Sequence, residues 1–113
     1  KVAWVQYCGL PGDKYYELGK KYLPNGSCGV VSFGVKGGRA AAEAFMGRLK
    51  IAAIETHVAD ARTCCLHPAS STHRQMNAEE LKAAGVPEDL VRYSCGLEDA
   101  EDLIADLAQA LDA

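Results

Sequence analysis

Leu90-Val91-Arg92-Tyr93-Ser94-Cys95 runs straight into Gly96-Leu97-Glu98-Asp99, and the two halves differ in character. The first half alternates and is rich in β-branched and aromatic residues, which predicts a strand. The second opens a run of acid, Glu98, Asp99, Glu101 and Asp102, placed where the positive end of a helix dipole stabilises negative charge. Leu97, Leu103, Ile104, Leu107 and Leu111 then form an apolar stripe, so a helix lying on a core is predicted for the last segment. Arg92 is the unusual residue of the strand, because a guanidinium between apolar neighbours is costly unless an anion pairs with it. On the residues alone, an arginine on a surface strand is the plainer reading and an anion-binding residue the alternative.

Outward from this stretch, Thr63 to Leu66 reads as a short buried strand, with two cysteines and a leucine and no charge between them. His67-Pro68-Ala69-Ser70 leaves it. Asn77 with Glu80 three residues on has the form of a capping box and predicts a short helix to about Ala84, ended by Gly85. Toward the N-terminus, Val2 to Tyr7 predicts a strand that stops at the turn composition Gly9-Leu10-Pro11-Gly12. Asp13 is predicted to cap a short helix to Tyr22, in which Tyr15, Leu18, Gly19 and Tyr22 recur at helical spacing before Pro24-Asn25-Gly26. Cys28 to Val35 is a second β-rich run. It feeds Lys36-Gly37-Gly38 and an alanine-rich helix whose inward face is predicted as Ala41, Ala44, Phe45 and Leu49, with Arg48 at its edge. Strand and helix thus alternate along the chain, a pattern that fits either a parallel α/β sheet or an α+β layer with helices on one face. Periodicity leaves both open.

The gross numbers bound the rest. A chain of 113 residues, 49% hydrophobic and 24% charged, has room for one core and the balance of a globular domain. Net charge is −3 and the longest basic run is Lys20-Lys21, which gives no footprint for a nucleic acid backbone. No apolar run approaches the roughly 20 residues that cross a bilayer, so neither nucleic acid nor membrane is expected as a partner. The 5 cysteines are odd in number and form no C-x-x-C pair, which points to free thiols and a cytoplasmic protein. The chain begins at Lys1 and enters a strand at once, so a piece of something longer is expected.

Local constellations have plain readings. Gly34, Gly37 and Gly38 stand where a strand gives way to a helix, but their spacing is neither G-x-G-x-x-G nor a P-loop; a tight turn with close helix packing explains them. His57, His67 and His73 show no ligand spacing, and no metal is expected. Cys64 and Cys65 in an apolar strand are packing thiols, since burial raises a thiol pKa.

Several blocks taken together carry more. His67-Pro68-Ala69-Ser70-Ser71-Thr72-His73, then Ala84-Gly85-Val86, then Leu90 to Asp99, in that order and spacing, resemble the C-terminal signature of the PLP-dependent enzymes of Cys/Met metabolism. That family includes cystathionine γ-lyase, cystathionine β-lyase, methionine γ-lyase and O-acetylhomoserine sulfhydrylase. Tyr7 to Leu18 and Phe33 to Arg39 resemble it too, so the likeness spans essentially the whole chain. Thr56 to Thr63 and Thr72-His73-Arg74-Gln75 are most similar to the O-acetylhomoserine sulfhydrylase branch; lyase branches usually carry serine where His57 stands. Cys8 and Cys95 replace the usual proline and valine.

The resemblance implies an α+β fold, a small, mostly antiparallel sheet covered by helices, as the single C-terminal domain (residues 1–113) of a fold-type I PLP enzyme. Its partner would be its own large domain, which holds pyridoxal phosphate on a lysine; neither Lys36 nor Lys50 matches that lysine's motif, so no cofactor or catalytic residue is expected here. By position, Arg92 would grip the substrate α-carboxylate, with Thr72, His57 and Val58 lining the same pocket. The reaction implied for the whole enzyme, a homotetramer in this family, is replacement of acetate in O-acetylhomoserine by sulfide or a thiol, giving homocysteine or methionine. Elimination, as in methionine γ-lyase or cystathionine γ-lyase, is the alternative, and a stand-alone regulatory or ligand-binding module is the alternative of another class.

Overall fold

The computed structural model describes residues 1–112. Five strands form one sheet: β1 (Val2–Gln6), β2 (Val30–Val35), β3 (Ala53–Ile54), β4 (Cys64–Leu66) and β5 (Leu90–Ser94). Four helices accompany them, α1 (Tyr16–Tyr22), α2 (Gly38–Arg48), α3 (Ala78–Ala83) and α4 (Ala100–Asp112), with a 3-10 turn at Pro68–Ser70. Strand order is β1-β2-β5-β4-β3. β1 with β2, β2 with β5 and β5 with β4 are antiparallel, and only β3 with β4 is parallel. The α+β alternative is therefore the one realised. β3 was not legible in the sequence, because a two-residue strand has no period to read.

Register divides the sheet into two faces. Val31 pairs with Tyr93 and Phe33 with Val91 across β2 and β5, while Cys65 pairs with Tyr93 across β4 and β5. These side chains share one face and form the core with Phe45 and Met46 of α2 and Ala110 of α4. Phe33 and Phe45 meet edge to face with centroids 5.7 Å apart, and Phe45 is fully buried; burying one such side chain stabilises by about 1.5–3 kcal/mol. The opposite face carries the register row Gln6, Ser32, Arg92 and Leu66. A smaller apolar cluster of Ala69, Leu81, Val86 and Leu90 anchors the 3-10 turn and α3.

Two predicted helix faces are corrected. In α2 the buried residues are Ala42, Phe45 and Met46, whereas Ala44 is exposed. The helix is rotated so that Met46, an adaptable side chain, fills the core in place of an alanine. In α4 the buried residues are Leu103, Asp106 and Ala110; Ile104 is exposed and Leu97, ahead of the helix, is 87% exposed. The apolar stripe of α4 faces an open groove of about 400 Å³ against Val2, Val5, Val31 and Phe33.

A carboxylate sits on the buried side of α4 because it has a specific task. Asp106 accepts the backbone N–H groups of Lys50, at 2.9 Å, and of Ile51, at 2.8 Å, and at 3.4 Å that of Ala52. It thereby ties α4 to the chain leaving α2. Burial pushes its pKa up, but these N–H groups and the Gln109 amide outweigh that and hold it below the usual aspartate value. The capping box is present as predicted: the Glu80 N–H donates to Asn77 Oδ1 at 2.9 Å and the Asn77 N–H to Glu80 Oε2 at 2.8 Å. Gly85 follows α3 at φ 73, a left-handed turn suited to glycine.

Candidate functional site

The face of the sheet away from α2 and α4 is built around Arg92. It lies mid-strand on β5, between β2 and β4, directly opposite Ser32 on one side and Leu66 on the other. Its side chain is half-buried and its Nη2 donates to the Thr56 carbonyl at 2.7 Å. Among the described residues no carboxylate forms a salt bridge with it. A guanidinium has five N–H donors in a planar fork, so most of its capacity is left unspent at the centre of a sheet face.

The segment over this face, from Glu55 to Arg62, is held closely. The Ala59 N–H donates to Ser94 Oγ at 3.3 Å, and Ala59 has φ 59, a left-handed conformation that a residue with a Cβ adopts only at a cost. Asp60 Oδ1 accepts the Arg62 N–H at 2.8 Å, and this bond, with the Arg62 charge, keeps its pKa below the ordinary aspartate value. Downstream, Glu98 accepts the Thr63 N–H at 2.9 Å and the Thr63 hydroxyl at 2.7 Å, and these two bonds hold its carboxyl below the usual glutamate range. The Thr63 hydroxyl oxygen in turn accepts the Gly96 N–H at 2.8 Å. The end of β5 and the residues after it thus clamp the segment that reaches Arg92.

Of the residues picked out in the sequence, Arg92 reaches the Thr56 carbonyl, which immediately precedes His57 and Val58 in the chain; among the described residues no hydrogen bond joins Arg92 to either of these two. His57 is exposed, with Nδ1 3.6 Å from a Glu55 carboxylate oxygen, and Val58 is half exposed. Thr72 is exposed in the turn after the 3-10 helix, where its hydroxyl shares a 2.8 Å hydrogen bond with His73 Nδ1; among the described residues none joins it to Arg92. His67 is buried, with both ring nitrogens engaged. Its Nε2 donates to the Glu88 carbonyl at 2.7 Å and its Nδ1 lies 2.7 Å from Ser70 Oγ. Ser32, Ser94 and Ala59 were missed. The serines have no distinguishing spacing, and an alanine gives no hint of a left-handed conformation that asparagine or glycine would signal.

The chain belongs to the Cys/Met metabolism PLP-dependent enzyme family, whose pattern matches residues 1–112. It is 46% identical over 111 residues to O-acetyl-L-homoserine sulfhydrylase 1 of Thermus thermophilus, covering 98% of this chain and 26% of that protein. L-methionine gamma-lyase of Treponema denticola is also 46% identical, over 112 residues, with 98% and 27% covered. Among solved structures, an O-acetylhomoserine (thiol)-lyase from Campylobacter jejuni, which carries N′-pyridoxyl-lysine-5′-monophosphate, superposes with a TM-score of 0.91 at 35% identity, over 99% of this chain and 27% of that one. The chain therefore spans about a quarter of the length of the relatives it matches.

The family's cofactor is pyridoxal phosphate, and the residues here do not form a seat for it. Lys1, Lys14, Lys20, Lys21, Lys36, Lys50 and Lys82 are all exposed. The first turn of α2, Gly38-Arg39-Ala40-Ala41, has no hydroxyl to join its N–H groups in holding a phosphate. Among the described residues no group of His, Cys, Asp and Glu could hold a metal ion, and no helix is long and apolar enough to cross a membrane.

Proposed function

We propose that residues 1–113 are the C-terminal, substrate-positioning domain of a longer O-acetylhomoserine sulfhydrylase, with Arg92 as the residue that binds the substrate α-carboxylate. The observation that carries this reading is the half-buried Arg92 guanidinium, fixed by the Thr56 carbonyl yet without a carboxylate partner among the described residues. A planar fork of N–H donors matches the two oxygens of a carboxylate in a way that an ammonium does not. His57 and Val58 contribute the backbone beside that fork, and Thr72 the neighbouring turn. The bond-making chemistry belongs to the cofactor and to the large domain expected to complete the enzyme. This domain's share is orientation: a carboxylate gripped at a fixed angle sets how the rest of the amino acid is presented.

The sulfhydrylase assignment draws on His57 and its neighbours Thr56 to Thr63, and on the Thermus thermophilus relative. Elimination by a methionine γ-lyase is the second reading, favoured by the equally similar Treponema denticola relative. Incubating the full-length gene product with O-acetylhomoserine and sulfide, and separately with methionine alone, distinguishes them. Homocysteine from the first mixture with little 2-oxobutyrate from the second is the expected result. Rapid 2-oxobutyrate release from methionine with no homocysteine formed would replace the sulfhydrylase reading by the lyase one.

A further inference from the structure

Arg92 and Ser94 are two residues apart on β5, so their side chains leave the same face of the sheet. One strand therefore holds one overlying segment at two points: Arg92 Nη2 donates to the Thr56 carbonyl at 2.7 Å, and the Ala59 N–H donates to Ser94 Oγ at 3.3 Å. Between the two anchors the chain must turn sharply, and Ala59 does so at φ 59, a conformation that relaxes when nothing holds it. Ser94 is 2% exposed, so water does not compete for its hydroxyl. Beyond Ala59 the segment is secured separately, by the Leu97 N–H on the Ala61 carbonyl at 2.8 Å. Before Thr56 the segment is tied to β4 by the Glu55 N–H on the Cys65 carbonyl at 3.3 Å, so between Glu55 and Ala61 the anchors on β5 are Arg92 and Ser94.

We infer that Ser94 is a positioning residue for carboxylate recognition: by fixing Ala59 it places the Thr56 carbonyl, and that carbonyl fixes the plane of the Arg92 guanidinium. The inference rests on Arg92 being the carboxylate-binding residue. Recognition by a planar fork depends on angle, so a guanidinium whose tether has drifted binds the amino-acid substrate less well while the site for the thiol is untouched.

The test uses the full-length protein and steady-state kinetics with both substrates varied. Ser94→Ala is expected to raise KM for the amino-acid substrate about three- to tenfold, the effect of losing one ordinary hydrogen bond, with KM for sulfide unchanged. Ser94→Thr, which keeps the hydroxyl, is expected to restore the lower value. In an Arg92→Ala background the serine change is expected to add nothing, because a residue acting through Arg92 has no effect once Arg92 is gone. Ser94→Cys, which keeps the volume and weakens the acceptor, serves the same purpose where Ser94→Ala does not accumulate folded. Unchanged KM in Ser94→Ala beside a crippled Arg92→Ala overturns this inference alone, and so do losses that simply add in the double variant. Near-normal kinetics in Arg92→Ala overturn the Arg92 reading itself, and the inference with it.

Discussion

Replacing Asp106 by alanine removes an acceptor that α4 holds under the chain between α2 and β3. Its two shorter bonds, 2.9 Å from the Lys50 N–H and 2.8 Å from the Ile51 N–H, close the loop between those elements. Hydrogen bonds to a charged group contribute about 1.5–3 kcal/mol each. Lys50 and Ile51 lie at the surface, where their N–H groups can turn to water, so the sum is discounted to about 2–4 kcal/mol. Against the total of about 5–15 kcal/mol typical of a domain, that is a large loss. Urea denaturation of wild type, Asp106→Ala and Asp106→Asn measures it, and asparagine, which keeps one acceptor oxygen, is expected to fall between the other two. The pH dependence has a definite sign. The folded pKa of Asp106 is depressed, so its contribution is complete above the ordinary aspartate value and is lost as pH falls through the lower one. A loss below about 1 kcal/mol at neutral pH would refute the argument that this carboxylate fastens α4 to the loop.

Other expectations follow from single contacts. A Cβ at Gly34 would collide with Trp4 Nε1 and Asp89 Oδ2, which hydrogen-bond at 2.8 Å, so Gly34→Ala is expected to break that pair, lower the thermal midpoint and shift the emission of the only tryptophan. The Cys65 thiol is buried, which pushes its pKa up to about 12, so in the native state iodoacetamide is expected to modify exposed Cys28 and to spare Cys65 until the chain unfolds, as peptide mass spectrometry would report. Glu98 has a pKa lowered by the Thr63 N–H and hydroxyl, so the stability it adds is present above the ordinary glutamate value and drains away as pH falls through the depressed one. The difference in thermal midpoint between wild type and Glu98→Gln is accordingly expected to shrink from neutral pH to below about pH 4.

Much of the molecule is written locally in its sequence. The capping box at Asn77 and Glu80, the buried strand at Cys64 to Leu66 and the strand carrying Arg92 depend on near neighbours, and each forms where the residues predict it. What was not legible depends on partners far along the chain. Asp106 looks like a misplaced polar residue until the backbone N–H groups of Lys50 to Ala52 are brought beneath it, 54 to 56 residues away. Leu97 looks like the first residue of the apolar stripe of α4, yet it precedes the helix and is exposed. The same holds at the site. Arg92 draws notice because charge in an apolar strand is costly, but its expected role came from the family resemblance, whereas Ser94 and Ala59 acquire meaning only when the segment from Glu55 to Arg62 is folded over β5.

The most direct test of the account is the kinetics of Arg92→Ala in the full-length protein, with PLP absorbance confirming that the cofactor is still bound. Losing two charge-assisted hydrogen bonds of about 1.5–3 kcal/mol each lowers kcat/KM for the amino-acid substrate by about two to four powers of ten. That loss, with cofactor content unchanged, is the predicted result. A variant that keeps near-normal kcat/KM would contradict the placement of the substrate carboxylate on Arg92.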